Sequence, residues 1–233
     1  MRGRRCSEQS SRSDVVAGNG NATLAAARRF ANVVSTDYVA SLLDRGRERA
    51  KAERLPVTFQ RADAENLPFP EASFDVVLST FDVMFAPNQE RAASELIRVC
   101  RPGGMIGLTN WTPEGFIGRL YRTIGEYVSP VPGVKSPALS GTKSHLDALF
   151  DARASVTAES KYFAFRYKSP QHWIELFRDY YGPVLKAFAA IDPKARRSLE
   201  TDLHALLGEF NAAKDGTLVA PSEYLEVIIT KTR

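Results

Sequence analysis

From Asp14 onward, short runs rich in β-branched residues alternate with amphipathic stretches, and that rhythm leaves little choice of architecture. Strand candidates fall at Asp14 to Ala17, Asn32 to Thr36, Val57 to Arg61, Phe74 to Thr80 and Met105 to Asn110. Between them, Val39, Leu42, Leu43 and Ala50 recur at helical spacing, as do Ala92, Ala93, Leu96, Ile97 and Cys100 further on. Strand and helix in strict alternation is the pattern of βαβ units, so a parallel sheet with helices on both faces is expected. The second helix is expected to end at Arg101-Pro102-Gly103-Gly104, where proline stops it and glycine admits the positive φ of a tight turn.

After Trp111 the rhythm breaks. Pro113, Pro130, Pro132, Gly133 and Pro137 surround one amphipathic piece, Gly115 to Val128, which reads as a helical, loop-rich cap inserted over residues 112–154. Residues 155–233 are expected to complete the same domain with strands at Ser155 to Tyr167 and Tyr224 to Thr232. Between these lie helical stripes through Trp173, Leu176, Phe177, Tyr180, Val184 and Phe188 and through Leu199, Leu203, Leu206, Leu207 and Phe210. The total is a seven-stranded, mostly parallel sheet. Residues 1–13 fit poorly, because a first strand covered on both faces calls for a continuous apolar run, and Arg-Ser-Arg-Ser precedes Asp14 instead. The expectation is an atypical or disordered tail in place of a lost helix and half-strand, with a marginally stable protein as the consequence.

Charge narrows the partners. Of the net charge of +4, Arg2, Arg4, Arg5 and Arg12 against Glu8 account for three, leaving a nearly neutral body with no basic stripe, so nucleic-acid binding is not expected. No apolar run reaches the length of a membrane span, and the N-terminus lacks the apolar stretch of a secretory signal, so the protein is expected in the cytoplasm. Cys6 and Cys100 are the only cysteines, which excludes a disulfide framework, and no two of the three histidines share a metal-ligand spacing. A small-molecule substrate, and a monomer or homodimer, are expected.

The chemistry gathers at the carboxyl ends of the strands. Asp14-Val15-Val16-Ala17-Gly18-Asn19-Gly20 leads from a strand through a glycine turn into a helix, and Asp37 ends the next strand nineteen residues after Gly18. There an acid can accept hydrogen bonds from ribose hydroxyls. A dinucleotide fingerprint wants a third glycine where Thr23 stands, so a nucleoside without pyrophosphate is favoured over NAD or FAD.

Further on come D-A-E-x-L-P-F-P at Asp63 to Pro70, F-D-V-V at Phe74 to Val77 and L-I-R-V-C-R-P-G-G at Leu96 to Gly104. Together with the glycine turn and Asp37, this series resembles the class I S-adenosylmethionine-dependent methyltransferases of the type 11 group, similar to the methyltransferases of ubiquinone and menaquinone biosynthesis. The resemblance implies a Rossmann-like core over residues 14–111 and S-adenosylmethionine as cofactor. It places Asp14, Gly18, Asn19 and Gly20 at the cofactor loop, Asp37 on the ribose, Asp63 and Ala64 on the adenine, and Thr80 beside the methionine. Val16 departs from the small residue usual there. Methyl transfer needs alignment more than acid–base groups. Where a base is required, Asp82 or His145 could serve, with a solvated rim position and a surface helix position as the plainer readings. His172 and His204 read as polar-face positions. Trp111, Phe116, Tyr121, Trp173, Tyr180 and Tyr181 either line a pocket for a small, fairly apolar acceptor or fill a core. The alternative to an enzyme is a vestigial fold that binds the nucleoside without efficient turnover.

Overall fold

The computed structural model describes residues 11–15 and 17–232, with side chains from Ala17 onward; the expectations for residues 1–10 and for Val16 lie outside it. The chain forms two compact units. The first takes residues up to Asn110 together with Lys143–Ala158 and Glu226 onward, and the second takes Trp111–Thr142 and Glu159–Leu225. These units cut across the expected segments, since most of residues 155–233 folds with the expected cap.

In the first unit, β1 (Ser11–Val15), β2 (Asn32–Asp37), β3 (Val57–Arg61), β4 (Phe74–Thr80) and β5 (Cys100–Trp111) alternate with α1 (Asn21–Ala27), α2 (Ala40–Ala52) and α3 (Gln89–Val99). Every pairing among these five strands is parallel: β1 with β2 and β4, β2 with β3, and β4 with β5. Two later strands, β6 (Ala154–Tyr167) and β7 (Leu218–Lys231), extend the hydrogen-bonded order to β3-β2-β1-β4-β5-β7-β6. β1 begins at Ser11 rather than Asp14. Arg12 and Ser13 take ladder positions between Val33 and Val34 on one side and Val76 and Val77 on the other, so backbone pairing continues where the apolar pattern fails.

The α3 helix shows why its sequence folds as it does. The Asn88 side chain accepts the Arg91 N–H at 2.9 Å as N-cap, Glu90 lies in the first turn and Arg98 in the last. Its face of Ala92, Ala93, Leu96, Ile97 and Val99 is buried. The helix stops at Val99, one residue short of the expected stripe, and β5 starts at once. Phe74 pairs with Cys100 but Val76 with Met105, so Arg101-Pro102-Gly103-Gly104 is extruded as a bulge, with Gly103 at φ +74°. The first unit also holds α5 (Lys143–Phe150), whose Leu146, Leu149 and Phe150 are buried and which packs with α3.

In the second unit, α4 (Phe116–Gly125), α6 (Pro170–Tyr180), α7 (Gly182–Ala190) and α8 (Pro193–Phe210) surround an aromatic core. Trp173 is fully buried, stacked on Phe177 at 3.9 Å between centroids and edge-on to Phe116 at 5.4 Å. Trp111 meets Phe165 at 5.8 Å. Of the aromatics considered for an acceptor pocket, Trp111, Phe116 and Trp173 are therefore core, Tyr180 is 81% exposed, and the Tyr121 and Tyr181 hydroxyls bond each other at 2.6 Å. Among the described residues, no helix is long and apolar enough to cross a membrane.

Candidate functional site

The site is built where β1, β2, β3 and β4 end. Gly18 at φ +53° and Gly20 at φ +85° reverse the chain between β1 and α1, a conformation costly for any residue with a Cβ. The turn is closed by Gly20 N–H on Ala17 O at 2.9 Å and joined to β2 by Ala17 N–H on Thr36 O at 2.7 Å. Asp37, only 2% exposed, fixes it. One carboxylate oxygen accepts Gly18 N–H at 2.9 Å and the other accepts Val39 N–H at 2.8 Å. Its backbone carbonyl takes Ala62 N–H at 3.1 Å, which brings the end of β3 alongside.

Asn19 is held from outside the loop. Arg49 of α2 donates to the Asn19 carbonyl at 2.8 Å, to Asn19 Oδ1 at 3.1 Å and to Asn21 Oδ1 at 2.9 Å. Thr23, standing where a dinucleotide fingerprint would have glycine, is buried, and its Oγ1 pairs with Ser35 Oγ at 2.9 Å. Helix α1 thus packs on β2 through a hydroxyl pair instead of a bare backbone. Asp14 is described by its backbone alone, in register with Ser35 and Leu78.

Asp63 is exposed, and its Oδ1 caps a turn by accepting Glu65 N–H at 2.9 Å; Ala64 beside it is buried. The loop that follows is pinned by α3. Glu95 accepts Leu67 N–H at 2.7 Å, and Arg98 donates to Leu67 O at 2.9 Å, to Phe69 O at 2.6 Å and to both oxygens of Glu95 at 2.7 Å. Arg98 holds the Glu95 carboxyl below its ordinary range, and the Leu67 N–H adds to the effect.

Thr80 ends β4, half-buried and in register with Thr109. Phe81 follows at φ +62°, an uncommon conformation for a bulky side chain, with its N–H on Thr109 O at 3.0 Å. The chain then turns so that Asp82 Oδ2 lies 3.8 Å from where a Cβ on Gly18 would stand. Asp82 and the glycine loop are thereby brought together. His145 is placed otherwise: its Nε2 bonds Gln89 Oε1 at 2.7 Å, and Gln89 Nε2 donates to Met84 O at 3.2 Å. That network ties α5 to the start of α3. Among the described residues, no group of three His, Cys, Asp or Glu side chains could hold a metal ion.

Arg49, Glu95 and Arg98 support the site without having stood out in the sequence. Arg98 lies inside the L-I-R-V-C-R-P-G-G motif and Glu95 just before it. Arg49 is one of four arginines between Arg45 and Arg54, with nothing local to distinguish it.

A glycine loop fastened to a buried acid, at the carboxyl edge of a parallel sheet with helical crossovers, defines a Rossmann-like nucleoside-cofactor fold. The comparisons with known proteins specify it. A family model described as a methyltransferase domain matches residues 13–108. The uncharacterized protein Rv1405c of Mycobacterium tuberculosis is 41% identical over 192 residues, which is 81% of this chain and 70% of that protein. A demethylmenaquinone methyltransferase of Deinococcus radiodurans is 31% identical over 137 residues, 57% of each chain. Among solved structures, the YcgJ protein of Bacillus subtilis superposes with a TM-score of 0.66 at 18% identity over 98% of this chain and 94% of that one. A Bacillus halodurans protein provisionally designated a methyltransferase does so at 0.69 and 18%, over 98% and 95%. The chain belongs to the class I S-adenosylmethionine-dependent methyltransferases of the type 11 group.

Proposed function

We propose that this chain binds S-adenosylmethionine at the Gly18–Gly20 loop and transfers its methyl group to a small, fairly apolar organic acceptor. The observation that carries the reading is Asp37 holding Gly18 and Val39 by their N–H groups while Asp82 faces Gly18. The residues fit the cofactor. Two positive-φ glycines keep side chains off the loop, each Asp37 oxygen retains acceptor capacity for a ribose hydroxyl, and Asp63 Oδ2 stands at an exposed edge beside buried Ala64.

When bound, the cofactor supplies a methyl group already activated on a sulfonium. The protein's part is then to hold and to exclude water. Gly18, Asn19 and Gly20 approach with backbone only, Asp37 keeps the loop in one shape, Asp63 and Ala64 flank the base, and Thr80 borders the methionine end. Asp82 accepts the proton released by a hydroxyl or acidic carbon of the acceptor. It is preferred to His145 because it adjoins the loop, whereas His145 is engaged with Gln89. The demethylmenaquinone methyltransferase among the relatives makes an aromatic, largely apolar acceptor the natural first trial.

Calorimetric titration with S-adenosylmethionine, followed by methyl-transfer assays on hydroxylated naphthalenes, tests the proposal. Binding with turnover supports it. Absence of any binding heat refutes it, and binding without transfer to any acceptor leaves a cofactor-binding protein instead of an enzyme.

A further inference from the structure

Asn110 is the most deeply buried amide among the described residues of the first unit, 1% exposed, and neither its Nδ2 nor its Oδ1 has a hydrogen-bond partner among them. Such an arrangement is costly, because a buried carboxamide gives up water for both a donor and an acceptor. Its neighbour Thr109 has a buried Oγ1 in the same condition. Two successive orphaned side chains stand just before Trp111, the last residue of β5, at the carboxyl edge of the sheet, the edge where open α/β folds receive ligands. Thr109 is in register with Thr80 and takes the N–H of Phe81 on its carbonyl, so Asn110 lies next to the chain segment that carries Asp82. Moving across the sheet, the order at this edge is Asp37 on β2, the glycine loop after β1, Thr80 at the end of β4 with Asp82 beyond it, and Thr109 with Asn110 on β5.

We propose that the Asn110 carboxamide recognises a neutral hydroxyl group of the methyl acceptor, its Nδ2 donating to the hydroxyl oxygen and its Oδ1 accepting the hydroxyl proton. The inference rests on the methyltransferase reading and adds the acceptor's polar handle to it. A hydroxyl is the matching group because one oxygen both donates and accepts, satisfying both orphaned atoms at once. A carboxylate can only accept and would leave Oδ1 unpaired. The polarity of β5 makes sense on the same terms: Ile106 and Leu108 precede Asn110 on one buried face, and an amide takes the next such position, close to the strand's carboxyl end.

Two readouts test this. In the free protein, Asn110→Leu is expected to raise the melting temperature by about 2–4 °C, since it removes unpaired polar atoms at nearly constant volume. With S-adenosylhomocysteine saturating, the wild type is expected to bind α-naphthol at least about tenfold more tightly than α-methylnaphthalene, and Asn110→Leu to lose or reverse that preference. Asn110→Ser, smaller but still polar, is expected to keep part of it. A lowered melting temperature in Asn110→Leu, or a wild type that binds the two arenes alike or binds neither, overturns the assignment while leaving the methyltransferase reading intact if S-adenosylhomocysteine binds. Failure of S-adenosylhomocysteine to bind overturns both.

Discussion

Asp37 accepts two backbone N–H groups and is almost entirely withdrawn from solvent. Its replacement by alanine strands both donors, at a cost of about 1–3 kcal/mol each where water cannot reach them. Scanning calorimetry is expected to show Asp37→Ala melting several degrees lower, with S-adenosylhomocysteine affinity reduced at least about tenfold. Unchanged affinity would mean that the acid shapes the loop and touches no ligand. Asp82 is expected to behave differently, because its carboxylate stands beside Gly18 as the proposed base. Asp82→Asn should lower kcat on the order of a hundredfold, the lower end for a lost general base, with cofactor affinity little altered. The sequence showed that an acid ends β2 and that another follows Thr80, because residue type and spacing are local properties. It did not show that Asp37 faces inward or that Asp82 swings towards Gly18. Depth depends on the N–H groups that Ala17, after β1, and Ala62, after β3, donate to the end of β2, and the swing depends on one unusual φ at Phe81.

At the level of elements, the loop after β3 and the helix α3 act as one piece. The acidic loop was legible as a motif, and so was the arginine-containing end of the helix, but their mutual dependence was not. It consists of side chains reaching backbone carbonyls about thirty residues away, as Arg98 does at Leu67 and Phe69. This piece carries a pH dependence of definite sign. Arg98 first and the Leu67 N–H next favour the ionised form of Glu95, so its folded pKa lies below the ordinary value of 4.5. The stabilisation is complete above that value and is lost as the pH falls through the lower, folded one. Glu95→Gln is expected to cost about 1–2 kcal/mol at neutral pH, allowing for the partial exposure of Arg98, and to flatten the fall in melting temperature below pH 4.5. Parallel acid profiles for wild type and variant would assign the acid sensitivity elsewhere. A second group titrates at the opposite extreme. In the second unit, Tyr127 donates to Asp202, and that bond pushes its pKa up to about 12. Ultraviolet titration of Tyr127→Phe should therefore remove a tyrosine that ionises late.

For the whole molecule, the sequence motifs marked a Rossmann-like core over residues 14–111 that residues 155–233 were expected to complete, and the alternation of strand and helix made the core readable. What periodicity could not reveal is how often the chain returns to the first unit. Lys143–Ala158 and Glu226 onward both belong to it, separated from its first part, which ends at Asn110, by segments of the second unit. The returning pieces bring buried side chains: Leu146, Leu149 and Phe150 from α5, and Val227 and Ile229 from β7. Lys231 adds a hydrogen bond to the Cys100 carbonyl at 2.9 Å. Each buried large apolar residue contributes about 1.5–3 kcal/mol, so these five together are comparable with the roughly 5–15 kcal/mol by which a typical domain is stable. Helix α5 also packs with α3, and β7 extends the sheet beyond β5. A chain cut after Asn110 should therefore keep every motif that identifies its family and still fail to fold cooperatively. Urea unfolding followed by far-ultraviolet circular dichroism decides the matter. The shortened chain is expected to give a broad, shallow change, and the full chain a steep one. A sharp transition in the shortened chain, with a denaturant dependence appropriate to its length, would show that the parallel core stands without α5 and β7.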